Sequence, residues 1–337
     1  MSKIVITGGA GFIGSQLGYK LHNDGHDVVL IDDMSFGYED NLTIDGKTFG
    51  TFLLCDVRSD EVFKHVEGAD IVYHFAGISC LPVCQTDPYY AIDVNVAGTA
   101  NMLEASRRAG VSRFIFASTS ATYENSTEFP TPEDCDAQPD LIYSMSKQQA
   151  EMLCNSYHKN YGLETVILRY FNVYGPHQDY RRKSPPFIGY VLKELLEGTS
   201  PTLHSDGEQK RDYVYVDDVN NLNEICAYHP AAPGNAFNVA SGLTYSVNEI
   251  FDIIAKHMNS SVRPSFTDSK NFWNKYERLF SSKYTLNLDR VRKEVTKFTL
   301  GSNTKARDLL GWEPCTNIED GLREVVNYAT QSTPEDL

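Results

Sequence analysis

The chain is expected to fold as an α/β protein, a doubly wound parallel sheet followed by a smaller C-terminal lobe. Three observations predict this. Short apolar runs alternate with amphipathic stretches through the first half, a glycine-rich turn follows the first run, and the alternation breaks off after Tyr170. Ile4-Val5-Ile6, Val28–Ile31, Phe52-Leu53-Leu54, Ile71-Val72-Tyr73, Phe114-Ile115-Phe116 and Val166-Ile167-Leu168 are rich in β-branched or aromatic residues and lack polar alternation. Strands buried on both faces of a parallel sheet read this way. Between them, stretches near 12–24, 59–66, 88–109 and 143–161 carry helical periodicity. Repeated β-α-β order gives a Rossmann-type sheet that binds ligands at the carboxyl ends of its strands.

Beyond Tyr170, Pro176, the run Arg181-Arg182-Lys183 and Pro185-Pro186 mark a departure into a second lobe. Asp212–Val219 and Phe237–Ala240 read as a return to strand and helix of the first domain. The expected division is therefore 1–172 with a return segment 212–242 for the sheet domain. Residues 173–211 and 243–337 would form the substrate-binding lobe.

Composition sets bounds on function. A length of 337 residues with 41% hydrophobic content can bury a sizeable core. A net charge of -15 argues against nucleic acid or an anionic membrane as partner. The seven cysteines (Cys55, Cys80, Cys84, Cys135, Cys154, Cys226, Cys315) are scattered, with no CxxC pair, so no metal site is expected. They read as small buried hydrophobes in a reducing compartment. Only three apolar residues follow Lys3 before glycines begin, unlike a signal peptide, and no apolar run approaches the roughly 20 residues of a membrane span. A soluble, cytoplasmic protein is expected.

Gly8-x-x-Gly11-x-x-Gly14, with Phe12 and Ile13 inside it, follows the first strand and opens the first helix. Glycines there allow a tight turn and close backbone approach, and a helix N-terminus faces a pyrophosphate. The second strand ends at Asp32-Asp33, eighteen residues after Gly14, where a carboxylate can hold an adenosine ribose. Two adjacent carboxylates repel a 2′-phosphate, which favours NAD over NADP. Asp56, in Cys55-Asp56-Val57, either reaches the adenine or caps the end of its strand.

Tyr143 and Lys147 are one helical turn apart in YSMSK and share a face. An ammonium beside a phenol favours the phenolate, which can take a proton from a sugar hydroxyl. A phenol with pKa near 10 must fall by about 3 units, roughly 4 kcal/mol, to ionise substantially at neutral pH. One charge at about 4 Å supplies roughly that at an effective dielectric of about 20.

The segments TGGAGFIGS, LIDDMSFG, CDV, HFAG, DVNVAGT, ASTSATY, YSMSK, LRYFNVYGP, RDYVYVDDV and KARDLLGW follow one another along the chain. With them it resembles the extended short-chain dehydrogenase/reductase family, in particular NAD-dependent nucleotide-sugar epimerases and dehydratases, and most of all UDP-sugar 4-epimerases. The resemblance implies that Tyr143 removes the proton from the sugar O4 while hydride leaves C4. It gives Lys147 the nicotinamide ribose and Thr119, with Ser120 as runner-up, the hydrogen bond to O4. Val57, Phe75, Ala76, Gly77, Asn95, Ser118 and Tyr170 would add cofactor contacts, and Asn172 and Arg211 would hold the substrate diphosphate.

Dehydratases of that family place acids directly after the hydroxyl residue, and decarboxylases commonly carry Glu where Ala121 stands. This chain has Ser120 and Ala121. The resemblance therefore implies a 4-epimerase of a UDP-hexose, UDP-N-acetylhexosamine or UDP-uronate that recycles tightly bound NAD. A UDP-glucuronate decarboxylase or 4,6-dehydratase is the alternative, and a non-catalytic NAD-binding sensor or interaction protein a third. A homodimer through helices near 94–109 and 143–161 is also implied, with Met102, Met145 and Met152 either on that surface or in the core.

Two features depart from the family. No Arg-Pro-Gly segment precedes Lys305; Arg263-Pro264 is followed instead by a long stretch in which Arg278, Arg290 and Arg292 are candidates for a second phosphate arginine. Glu124 stands where the family has glycine. Arg181-Arg182-Lys183 either contact phosphate or form a solvated loop.

Overall fold

The computed structural model describes residues 1–136, 138–180, 182 and 184–331; Arg181 and Lys183 of the basic run lie outside them. Each of the six apolar runs is a strand: β1 (Lys3–Thr7), β2 (Asp27–Asp32), β3 (Thr51–Leu54), β4 (Ile71–His74), β5 (Arg113–Thr119) and β6 (Glu164–Tyr170). With β7 (Ala236–Val239) they form one parallel sheet in the order β7-β6-β5-β4-β1-β2-β3. The order reverses between β1 and β4, which opens a crevice at the carboxyl ends of those strands. The expectation of two buried faces fails at β3, where Leu54 is 68% exposed because the strand forms the edge of the sheet.

The helices are α1 (Phe12–Asn23), α2 (Val62–His65), α3 (Leu81–Thr86), α4 (Pro88–Ile92), α5 (Thr99–Ala109), α6 (Ile142–Tyr161), α7 (Phe187–Leu196), α8 (Val216–Tyr228), α9 (Val247–His257), α10 (Leu288–Thr296), α11 (Thr304–Leu310) and α12 (Ile318–Gln331). Successive strand residues point to opposite faces. Ile4 and Ile6 pack with Leu17 of α1, Leu222 of α8 and Leu310 of α11, whereas Val5 packs with Val62 of α2, Leu103 of α5 and Ala150 of α6. Met102 is fully buried in this second cluster, which removes it from any surface.

The second lobe buries Leu192 of α7, Ile254 of α9 and Leu322 of α12 together. Two details differ from expectation. Tyr213–Tyr215 pairs with Asn172–Tyr174 outside the main sheet, and α11 with Trp312 packs on the sheet core although both follow residue 243. The long stretch after Arg263 is folded: Trp273, Tyr276, Leu279 and Val291 form a small core with Leu141 and Leu81. All seven cysteines are free, but Cys135 is half-buried and Cys315 exposed, its thiol donating to Asp218 at 3.1 Å. Among the described residues no helix is long and apolar enough to cross a membrane.

The buried Asp212 carboxylate staples the lobes together, accepting from Ser241 N (2.8 Å) and Oγ (2.7 Å), Gly242 N (3.1 Å) and Gly301 N (3.1 Å). Removing it would leave these donors without a partner. Asp212→Ala is expected to lower stability by about 2–4 kcal/mol in urea unfolding, with a smaller loss for Asp212→Asn.

Candidate active site

The carboxyl ends of the strands open into one cavity of about 1170 Å³ that runs on beneath the second lobe. At its sheet end lies the glycine loop. A Cβ on Gly8 would sit 2.8 Å from the nitrogen of Ala76, and one on Gly14 would sit 2.3 Å from the carbonyl oxygen of Gly8. The loop, the strand end and the first turn of α1 therefore close to backbone contact, the approach a pyrophosphate cradle needs. Gly11, Phe12 and Ile13 line the same wall. The Asp32 carboxylate accepts from Ala10 N (3.0 Å) and Met34 N (2.9 Å), and burial, opposed by these bonds, raises its pKa. Asp33 is exposed and accepts from Ser35 N at 2.9 Å. Both line the cavity.

Asp56 and Val57 line the cavity too, but the Asp56 carboxylate is gripped by Arg58, whose other nitrogen reaches Asp93 at 2.6 Å. That hydrogen bonding holds the Asp56 carboxyl below its ordinary range. Nearby, Cys55, Glu61 and His65 bring candidate metal donors within 4.8 Å of one another, a group the sequence reading did not foresee. Burial and the charges of Glu61 and Asp56 raise the pKa of the Cys55 thiol, which donates instead to the Asp56 carbonyl at 3.4 Å.

Phe75, Ala76 and Gly77 form the strand end opposite the glycine loop. Asn95 is a correction. It does not line the cavity; its amide exchanges hydrogen bonds with the backbone of Ile78 (2.8 and 3.1 Å) and donates to Ser146 Oγ (3.0 Å). It ties that strand end to α6 from a π-helical turn, Asp93–Gly98.

Tyr143 and Lys147 project from the first turns of α6 into the cavity, opposite Ser118, Thr119 and Ser120 at the end of β5. Each side chain bonds to the end of β5. Lys147 Nζ donates to the Ala117 carbonyl at 2.9 Å and lies 4.9 Å from the Phe116 ring, and burial lowers its pKa to about 8. Burial also pushes the Tyr143 phenol up to about 12, against a hydrogen bond with Thr119 and the charge of Arg182.

Tyr170 lines the cavity with its hydroxyl on Asn223 at 2.8 Å. Asn172 and Arg211 line the lobe side. The Arg211 guanidinium donates only to carbonyls, of Lys210 (3.1 Å), Glu294 (3.0 Å) and Val295 (2.9 Å), with no carboxylate in ion-pair range among the described residues. It is a positioned cation suited to an anion.

None of the three candidate second arginines lines the cavity. Arg290 pairs with Glu124, Asp140 and Glu294; Arg292 pairs with Asp289; Arg278 is exposed. Lys275, Lys297 and Arg182 bring the further positive charge. The first two were missed because nothing in an aperiodic segment marks which lysine turns inward.

Because the folded state holds Lys147 near a pKa of about 8 rather than 10.5, the unfolded chain binds more protons between those values and stability rises with pH there. Cofactor-free wild type is expected to gain stability relative to Lys147→Met from about pH 8 to about pH 10 in urea unfolding. A difference that stays level would show that this lysine ionises normally.

Comparison with known proteins fits this geometry. The profile of the NAD dependent epimerase/dehydratase family matches residues 4–240. The UDP-glucose 4-epimerase of Mycolicibacterium smegmatis is 30% identical over 97% of this chain and 98% of its own. The crystal structure of UDP-glucose 4-epimerase from Thermotoga maritima with UDP-glucose has a TM-score of 0.85 at 30% identity, covering 98% of this chain and 99% of that one. That of the UDP-glucuronic acid 4-epimerase from Bacillus cereus, with UDP-glucuronic acid and NAD, has a TM-score of 0.82 at 27% identity, covering 98% and 99%. Proteins named as a decarboxylase and a 5,6-dehydratase also match. The chain belongs to the NAD dependent epimerase/dehydratase family.

Proposed function

We propose that the chain is an NAD-dependent 4-epimerase of a UDP-linked sugar, acting through a transient 4-keto sugar. The observation that carries this reading is one cavity joining the glycine cradle, Tyr143 with Thr119, and the carboxylate-free Arg211. The glycine loop and Lys147 would hold NAD, which when bound would supply hydride-acceptor chemistry at C4. Tyr143 takes the proton of the sugar hydroxyl at C4 and gives it back, and Thr119 orients that hydroxyl with it. Lys147, spending one N–H on Ala117, keeps two for ribose hydroxyls. Asn172, Arg211 and Lys297 meet the diphosphate.

Ser120 and Ala121 follow Thr119, so no acid stands there to expel water or steer decarboxylation. The sheet domain would hold the cofactor and the cavity-lining residues of the second lobe would wall the sugar nucleotide, with α11 and Trp312 belonging to the sheet core. Seven free thiols fit a reducing compartment such as the cytoplasm. A homodimer is the assembly we infer: Met145 and Met152, seven residues apart on one face of α6, are 39% and 66% exposed, and Tyr89 and Ile92 of α4 are exposed as well.

Incubation with a panel of UDP-, GDP-, CDP- and dTDP-sugars, read by proton NMR, is expected to give a C4 epimer of unchanged mass from a UDP-sugar. Tyr143→Phe should lower turnover by about 10²–10⁴-fold. Loss of carbon dioxide or water from the substrate, or full activity in the variant, would overturn the assignment. Light scattering is expected to give twice the chain mass for wild type and the single mass for Met152→Arg.

A further inference from the structure

Glu124 and the stretch after Arg263, the two departures noted in the sequence, meet in space. The Glu124 carboxylate is wholly buried. One oxygen accepts from the main-chain N–H of Asp140 and of Leu141 (2.9 Å), the other from the Ser144 hydroxyl (3.0 Å) and the Arg290 guanidinium (2.6 Å). Leu141 is the N-cap residue of α6 and offers no capping side chain, and Ser144 lies in the first turn beside Tyr143. Glu124 thus supplies, from the end of the 3-10 turn Ser120–Tyr123 that follows β5, the acceptor and negative charge that a helix N-terminus favours.

Arg290 belongs to α10 and also binds Asp140 (2.7 Å) and Glu294 (3.3 Å). Around it Leu141 packs on Trp273, Tyr276, Leu279 and Val291. Glu294 then pairs with Lys297 at 2.5 Å, and its carbonyl accepts from Arg211. A continuous buried network therefore runs from the first turn of α6 to the cationic wall of the cavity. Removing Arg290 would leave Glu124 buried without a cationic partner, whereas without Glu124 the guanidinium would keep Asp140 and Glu294 but lose its tie to the start of α6.

We propose that Glu124, clamped by Arg290, is a positioning residue that couples the place of Tyr143 to the docking of the 265–300 segment over the substrate end of the cavity. The proposal rests on the reading of Tyr143 as the base. It differs from simple fold stabilisation because it links two elements that are about 150 residues apart in sequence and wall the same cavity.

The test is hydrogen–deuterium exchange by mass spectrometry on the full-length, NAD-loaded protein, comparing wild type with Glu124→Gln, Arg290→Met and Arg290→Lys, together with steady-state kinetics. Each of the first two variants is expected to speed exchange in both the start of α6 and α10, while α9 is unchanged. Turnover should fall by about tenfold to a hundredfold with a smaller change in KM. Arg290→Lys should recover part of both effects, and emission of Trp273, one of two tryptophans, should shift with them. Faster exchange confined to the mutated element, or wild-type kcat in folded variants, would overturn the coupling. If wild type turns over no sugar nucleotide, the functional reading fails while the exchange pattern still decides the clamp.

Discussion

The docking of α6 on the carboxyl end of β5 is the constraint on which the rest of the site depends. Lys147 reaches across to the Ala117 carbonyl, Ser118 donates to Glu151, and Glu151 in turn holds Arg169 of β6 through two hydrogen bonds. Asn95 bridges Ser146 to Ile78, and Ser146 donates to the Tyr143 carbonyl. Contacts from Ser146, Lys147 and Glu151 thus fix the helix against β5, β6 and, through Asn95, the segment that follows β4. Buried polar groups of this kind are costly unless satisfied, and satisfied they admit a single arrangement. The phenol stands where it does because its neighbours in sequence have nowhere else to bond.

Charge is distributed against the net composition. The chain carries -15 overall, yet the lobe side of the cavity gathers Arg211, Lys275, Lys297 and Arg182. Their partners are arranged unequally. Glu294, buried but held below its ordinary pKa range by Lys297, Arg290 and Arg211, neutralises Lys297, while Arg211 has carbonyls alone. At the other end Asp32, Asp33 and Asp56 face the glycine loop. A dinucleotide with free ribose hydroxyls at one end and an anionic sugar nucleotide at the other match that polarity.

Backbone-dictated features were the legible ones. The glycine loop reads from sequence because no side chain fits at Gly8 or Gly14, and six strands read from apolar runs because the sheet is covered on both sides. All but one of the expected site residues reach the cavity wall. Asn95 misled because a buried amide beside a site is equally suited to bridging two backbones. Met102 and Met152 have the same composition and opposite fates, 0% and 66% exposed, since helical period alone does not say which face meets the sheet. The segment after Arg263 was opaque for another reason: its core is made of Trp273, Tyr276 and Val291 at irregular spacing, tied by Arg290 to Glu124 and Asp140 beside the start of α6 rather than by periodicity.

The electrostatics of the base must be reckoned from the folded value. Starting from a pKa near 10, a single nearby charge sufficed. With the phenol at about 12, substantial ionisation at neutral pH needs a fall of about 5 units, roughly 7 kcal/mol. One charge at about 4 Å supplies about 4 kcal/mol at an effective dielectric of about 20. Lys147, lowered to about 8 by burial, donates to the Ala117 carbonyl, and the Thr119 hydrogen bond and the charge of Arg182 offset the burial of the phenol only in part. Ionisation therefore waits on charge that arrives with the ligands. On the proposed reading of Tyr143 as the base, the buried phenol would stay protonated until the ligands bring that charge into the cavity.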